Sequence, residues 1–426
     1  VRPTPTITAG LLAFGAYFCT YAFRKPFTAA EFSQAGAVLG VLDFKTTLVV
    51  AQVFGYALSK FIGIRVISEL NRVGRERFFV ALILVAELAL VLFGLVGDHW
   101  SAPLWLFLNG LPLGLIWGVV FSYLEGRRTT EILGAMLAVS FIVSSGAVKT
   151  VGSLLLDEVS PFWMPALTGA LFFLPLLGCI YGLSRMTPPD RRDIAARTLR
   201  KPMTREERRT LVRRLGPGLV AILALYVLIT ALRDIRDNFA AELWTDLGYG
   251  DTPEIFTLAE LPVALLTLVP LFIGYRIRSN RRALRYYHGL FTGAAALILL
   301  ATGAFSLGAL TGGPWMVAIG LGLYLAYVPL NAIYFDRLIG AFRQAATAGF
   351  LIYLADAGGY AGSILVLLLR LAAPDIPWLG FLTGLAYLVG TVTLGLGLYA
   401  WGALRRRLPV RDAPAPLPST LHPTTL

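Results

Sequence analysis

Histidine and cysteine are nearly absent from this chain, with three His and two Cys in 426 residues. Cys19 and Cys179 both fall in apolar segments, which leaves no disulfide framework and no metal-ligand spacing. Charge is scarce as well: 15% of residues are charged and 57% are apolar, with a mean hydropathy of +0.70, which excludes a soluble globular protein. No nucleophile–base pair, nucleotide loop or metal motif occurs, so the chain is not read as an enzyme, and no cofactor or metal is expected. The net charge of +12 would suit nucleic acid, but the basic residues sit in alternate loops as the positive-inside rule requires. No nucleic-acid partner is expected.

What is present is a series of long apolar runs. Twelve spans are read, with cores at 7–31, 46–67, 78–97, 102–124, 131–156, 161–184, 217–243, 253–275, 286–308, 314–338, 346–371 and 378–403. Loops after even-numbered spans carry Arg65, Arg72, Arg75, Arg77, Arg127, Arg128, Arg276, Arg278, Arg281, Arg282, Arg285, Arg337 and Arg343. Loops after odd-numbered spans are mainly acidic, with Asp98, Asp157, Glu158, Asp246, Asp251, Glu254 and Asp375. The expected fold is therefore an all-α membrane protein of twelve transmembrane helices in two six-helix repeats, both termini cytoplasmic. Residues 1–184 form the first half, 185–216 a basic linker, 217–407 the second half and 408–426 a disordered tail. In the linker, Thr204-Arg-Glu-Glu207 fits a capping box opening a basic helix. The chain is read as a monomer in the lipid bilayer of the inner (cytoplasmic) membrane, multi-pass, with its first helix retained rather than cleaved.

One stretch organises the rest: Tyr17–Phe32, reading YFCTYAFRKPFTAAEF. On a continuous helix Tyr17, Tyr21, Arg24, Thr28 and Glu31 share one face. Pro26 has no N–H for the carbonyl of Ala22, which predicts a kink there. A cation at mid-bilayer costs about 2.5–3.5 kcal/mol on insertion scales, so it faces protein or a cavity. The bland alternative is that Arg24 and Lys25 merely end the helix. Against it stands an internal repeat, YVLITALRDIRDNFAAEL at Tyr226–Leu243, where Tyr226, Thr230, Arg233 and Asp237 keep the spacing of Tyr17, Tyr21, Arg24 and Thr28. Both runs then reach an Ala-Ala-Glu, ending at Glu31 and at Glu242. Only about fourteen apolar residues precede Arg233, short of the roughly twenty a span needs, so Arg233 belongs inside the membrane.

Other spans carry polar stripes. Helix 2 has Gln52, Gly55, Tyr56 and Ser59 beside Lys60; helix 4 has Asn109, Pro112, Gly114, Trp117 and Gly118, suited to close packing. Helix 5 holds Ser140, Ser144, Ser145 and Lys149. Helix 10 sets Tyr324, Tyr327, Asn331 and Tyr334 on one face, and helix 11 does so with Tyr353, Asp356, Tyr360 and Ser363. Tyrosine stripes are more often packing features than ligand contacts. A buried Lys149 or Asp356 needs a partner or a cavity, and the two could pair with each other.

Tyr21-Ala-Phe-Arg24-Lys25-Pro-Phe27 and Gly55-Tyr-Ala-Leu-Ser59-Lys60-Phe61-Ile-Gly63, with Ala348-Gly-Phe350 and Gly358-Gly359, resemble the major facilitator superfamily, and within it the organophosphate:phosphate antiporters. That resemblance implies arginines on helices 1 and 7 gripping a phosphate. Arg24 matches the first by motif, and Arg233 matches the second through the repeat. Lys25 matches the lysine beside the first. The chain departs from the family in having serines and Lys149 where helix 5 carries a histidine, in Asp234 and Asp237 beside Arg233, and in Ser68-Glu-Leu-Asn-Arg72 after helix 2.

The leading functional reading is secondary active transport of a small anionic substrate, organophosphate- or phosphate-like, by alternating access. Arg24, Lys25, Arg233, Lys149, Tyr17, Tyr21, Tyr327, Asn331 and Tyr353 are the substrate-binding candidates, and Asp356, Glu260 and Asp237 the coupling candidates. A proton-coupled symporter of another organic solute, titrating Asp356 or Glu260, is the alternative. A non-transporting sensor on the same fold is a third.

Overall fold

The computed structural model describes residues 5–36, 38, 43–69, 74–124, 130–186, 205–342, 348–371 and 376–409. The tail from residue 410, Thr204 with most of the linker, Arg72, Arg127, Arg128, Arg343 and Asp375 lie outside the described residues.

The fold is all-helical. In chain order α1 is Pro5–Thr20, α2 Phe44–Glu69, α3 Arg75–Val96, α4 Ala102–Leu124, α5 Thr130–Leu155 and α6 Met164–Ser184. Then come α7 Arg205–Leu215, α8 Pro217–Asn238, α9 Ala240–Asp246, α10 Ile255–Arg276, α11 Asn280–Ser306, α12 Gly312–Pro329, α13 Phe335–Ala341, α14 Ala348–Leu371 and α15 Trp378–Arg407. Among the described residues nine helices are long and apolar enough to cross a membrane, and Ile7–Phe23 and Val139–Leu155 are shorter apolar helices. Leucines on α3, α6 and α10 point outward, as a lipid-facing surface requires.

The helices pack as two sets. In the first, α2 lies along α4, α3 against α4 and α6, and α1 against α5 and α6. In the second, α8 packs on α14 and α15, and α11 on α12 and α15. The sets meet chiefly where α5 touches α10 and where α2 touches α14. The close approach of α2 to α4 depends on missing side chains. A Cβ on Gly110 would strike the carbonyl of Gln52, and one on Gly114 would strike the hydroxyl of Ser59. The basic helix α7 buries Leu211 and Leu215, after which Gly216 (φ 59°) and Pro217 turn the chain into α8.

The first motif is not one continuous helix. α1 stops at Thr20, a 3₁₀ turn covers Tyr21–Phe23, and a second covers Pro26–Ala29. The N–H groups of Arg24 and Lys25 both turn back to the carbonyl of Tyr21, because Pro26 cannot extend the α ladder. Thr28 and Glu31 therefore leave the face shared by Tyr17, Tyr21 and Arg24. The break frees carbonyls, and neighbouring helices satisfy them. Asn109 Nδ2 donates to the carbonyl of Phe23 (3.0 Å), and Gln52 Nε2 to that of Arg24 (3.0 Å). Gln52 also donates to Asn109 Oδ1 at 2.8 Å, which ties the two amides together. In the second set α8 runs unbroken through Arg233 and stops only at Phe239.

Helix 10 also departs from a single stripe. After Pro329 the chain makes a π-turn over Leu330–Tyr334 before α13 begins. Asn331 stays with the tyrosine face, while Tyr334 turns away to meet His288 Nε2 at 2.9 Å.

Candidate functional site

Arg24 lies at the break after α1, with its guanidinium carbon 3.9 Å from the centre of the Tyr56 ring and 5.9 Å from that of Tyr21. Among the described residues no carboxylate pairs with it, and its Nε is buried without a hydrogen-bond partner. The Tyr17 and Tyr21 rings meet edge-on at 5.5 Å, and Tyr56 meets Tyr360 of α14 at 5.3 Å. Arg24 thus lies in a tyrosine cluster to which both helix sets contribute. A desolvated cation over an aromatic face gains about 2 kcal/mol, which supports a buried guanidinium but does not neutralise it.

Arg233 reaches the same tyrosine cluster from α8, and its charge acts on Tyr21 together with that of Arg24. Its guanidinium carbon is 4.0 Å from the centre of the Tyr327 ring. Unlike Arg24 it is already paired: Nη2 and Nε donate to Asp234 Oδ1 at 2.6 and 3.1 Å. The other oxygen of Asp234 accepts from Ser363 Oγ of α14 at 2.7 Å. Both arginines act on Tyr21, but they are not equivalent. Of the two acids beside Arg233 in the sequence, Asp234 occupies it, while Arg24 stays open.

Asp237 turns the other way, toward the first set. Lys25 Nζ pairs with Asp237 Oδ2 and donates to Asn238 Oδ1 at 2.5 Å. Lys149 Nζ is 2.5 Å from Asp237 Oδ1 and also donates to the Asp237 carbonyl. Ser145 Oγ adds a bond to Oδ1 at 2.5 Å. One carboxylate is shared by two lysines whose side chains are 5% and 3% exposed. Lys45 meets Glu242 of α9 at 2.6 Å and the Thr28 carbonyl at 3.1 Å. Thr245 donates to Glu31 at 2.7 Å, and the hydroxyls of Thr150 and Thr257 are 2.8 Å apart. These contacts form a seam that joins the two sets where α1 and α8 finish.

Asp356 occupies a second junction. Tyr226 donates to its Oδ1 at 2.5 Å and Asn331 Nδ2 at 3.2 Å, while Lys60 Nζ of α2 stands 3.7 Å from Oδ2. An Asp356–Lys149 pair is therefore not formed: Lys149 belongs to Asp237, and Asp356 faces Lys60. Tyr353 is half-buried one turn before Asp356 on α14. Glu260 accepts from Arg236 Nη1 at 2.6 Å, and its Oε2 is buried without a partner. It stands apart from Asp356, near the seam.

Arg236, Lys45, Glu242, Asn238 and Lys60 escaped the list of candidates read from sequence. Glu242 had a signal in the Ala-Ala-Glu echo and Lys60 in the helix 2 motif. Arg236 had none, since one turn of α8 carries Asp234, Arg236, Asp237 and Asn238 together. An apolar groove of about 530 Å³, lined by Trp244, Leu258, Leu297, Val317 and Leu321, carries no polar chemistry.

Known proteins place the fold but not the solute. A model of a family of unknown function, DUF5690, matches residues 26–407. No curated protein matches the chain in sequence. Among solved structures a D-xylose-proton symporter aligns with a TM-score of 0.61 at 15% identity, over 93% of this chain and 96% of that one. The nucleoside transporter NupG aligns at 0.61 and 11%, over 95% and 100%. A POT family transporter in complex with a thioalcohol-conjugated peptide aligns at 0.59 and 13%, over 94% and 96%. At such identities the likeness is one of fold alone, the all-helical architecture that these structures share.

Proposed function

Since this chain belongs to DUF5690, a family of unknown function, we propose its activity from the site itself: secondary transport of a small anionic solute by alternating access, with twelve crossing helices and both termini in the cytoplasm. The observation that carries this reading is Arg24. It is an interior cation stacked on Tyr56 at 3.9 Å, with no carboxylate partner among the described residues. Its neighbours Lys25, Lys60, Lys149 and Arg233 all face acids. A half-buried charge without a counter-ion is costly, and an oxyanion that accepts from the guanidinium fork removes the cost.

In this reading the two helix sets are halves that rock about the site. The seam of Lys25, Lys149 and Lys45 against Asp237 and Glu242 holds one end shut, and solute enters from the other. Organophosphates and carboxylates both satisfy the fork. The test is equilibrium binding of anions to the purified chain: Arg24→Gln should abolish binding, and Arg24→Lys should weaken it at least tenfold by losing the bidentate geometry. Retention of full affinity in Arg24→Gln would end the reading. Proton coupling has one observation in its favour, the Asp356 carboxylate bonded to Tyr226 and Asn331 and facing Lys60.

A further inference from the structure

In the internal repeat Asp234 stands opposite Lys25, each being the residue after its arginine. The repeat is thus broken by charge at the position that touches the site. Asp234 Oδ1 takes two bonds from Arg233, and Oδ2 is fixed by Ser363 at 2.7 Å, so the carboxylate is held from both sides. Asp234 is buried and cannot swing to solvent without giving up that hydrogen bond.

We propose that Asp234 sets the charge class of the solute: it keeps Arg233 in an internal pair, leaves Arg24 as the open cation of the site among the described residues, and so selects a singly charged oxyanion over a dianionic phosphate monoester. The inference rests on the reading of Arg24 as the anion-binding residue. The remaining cations are occupied in the same sense. Lys60 faces Asp356; Lys25 and Lys149 share Asp237, which leaves the seam one positive charge in excess, but both ammonium groups are nearly buried and hydrogen-bonded within the seam to Asp237 and Asn238. A monoanion on Arg24 balances the charge of that guanidinium and leaves the two neutral pairs of the site, Arg233–Asp234 and Lys60–Asp356, undisturbed. A dianion brings a second negative charge to a site that already holds Asp234 and Asp356, and that repulsion is the discriminating element.

The test compares lactate, with one charge, and ethyl phosphate at about pH 8, where its second proton is off, as ligands of the purified full chain. Wild type should bind lactate more tightly. Asp234→Asn preserves size, frees Arg233, and should move the affinity ratio toward ethyl phosphate by about tenfold or more. Should that variant fail to fold, Ser363→Ala loosens the same carboxylate and should move the ratio in the same direction by about threefold. A ratio unchanged in the variants, or a wild type that prefers ethyl phosphate, overturns the proposal. Arg24→Gln separates the two readings. Loss of both ligands sustains the role of Arg24, so an unmoved ratio then condemns Asp234 alone. Wild-type binding of both ligands by Arg24→Gln overturns that role and the present proposal with it.

Discussion

The seam gives the sharpest quantitative expectation. Asp237→Asn removes the one carboxylate between Lys25 and Lys149, both of which are nearly buried. Two ammonium groups on the opposite oxygens of a carboxylate lie about 6 Å apart, and at an effective dielectric near 20 they then repel by about 3 kcal/mol. Stripping one partner from a buried pair costs about 3–5 kcal/mol by a separate measure, which agrees in scale. A shift of 3 kcal/mol favours the separated seam by about a hundredfold. The assay is cross-linking of cysteines placed at Thr150 and Thr257, whose hydroxyls are 2.8 Å apart across the seam, in a chain with Cys19 and Cys179 changed to serine. A short bifunctional thiol reagent should link them rapidly with Asp237 present and much more slowly with Asn. Adding Lys149→Met to Asp237→Asn removes the repulsion and should recover most of the rate. If Asp237→Asn links as fast as the parent, the shared carboxylate does not hold the seam, and the assignment of this end as the closed one loses its basis.

Further outcomes are expected. Cysteines at Gly97 and Gly250 should react with an impermeant thiol reagent from outside, and cysteines at Thr129 and Arg205 should not; the reverse pattern would invert the topology. Asp356→Asn leaves Lys60 without its acid and should lower the unfolding temperature, with partial recovery on adding Lys60→Met; uphill accumulation that persists in a stable Asp356→Asn variant would remove proton coupling from this residue. Asn109→Leu orphans the carbonyl of Phe23, worth about 1–3 kcal/mol, removes the second bond to that of Ala86, and should reduce both melting temperature and anion affinity. Gly110→Ala should cost about 1–3 kcal/mol in thermal unfolding through the clash with Gln52, and an unaffected melt would mean that α2 and α4 can part freely.

Much of the architecture was legible because membrane helices carry their own length and period. The expected 102–124 core coincides with α4, and most other ends differ by a few residues. The exceptions are instructive. Pro26 announced a disturbance in the first motif, but whether it kinked or ended the helix depended on Asn109 and Gln52, which lie on other helices. Within one helix periodicity says which residues share a face. It does not say which partner each will meet. Asp234 and Asp237 are three residues apart, yet one closes on its own Arg233 and the other crosses to Lys25 and Lys149. Lys45 and Glu242 are 197 positions apart, a pairing that only the docked halves define. Arg24 and Arg233 could be matched by the repeat; the difference in their occupancy could not.

The π-turn at Leu330–Tyr334 carries one residue more than α geometry would use. An added residue is worth about 100° of rotation, so the turn acts as a phase shift between α12 and α13. Upstream, Tyr324 and Tyr327 meet Phe141 of α5, and Tyr327 lies under Arg233; downstream, Tyr334 is free to serve His288 in the packing of the second set. Removing a single residue from this segment would restore an uninterrupted helix and, with it, the wrong phase. Either Asn331 would lose Asp356 or Tyr334 would lose His288, and no side-chain substitution could repair both. The segment is therefore constrained in its length more than in its composition, a form of sensitivity that scanning by point mutation would miss and a one-residue deletion would expose.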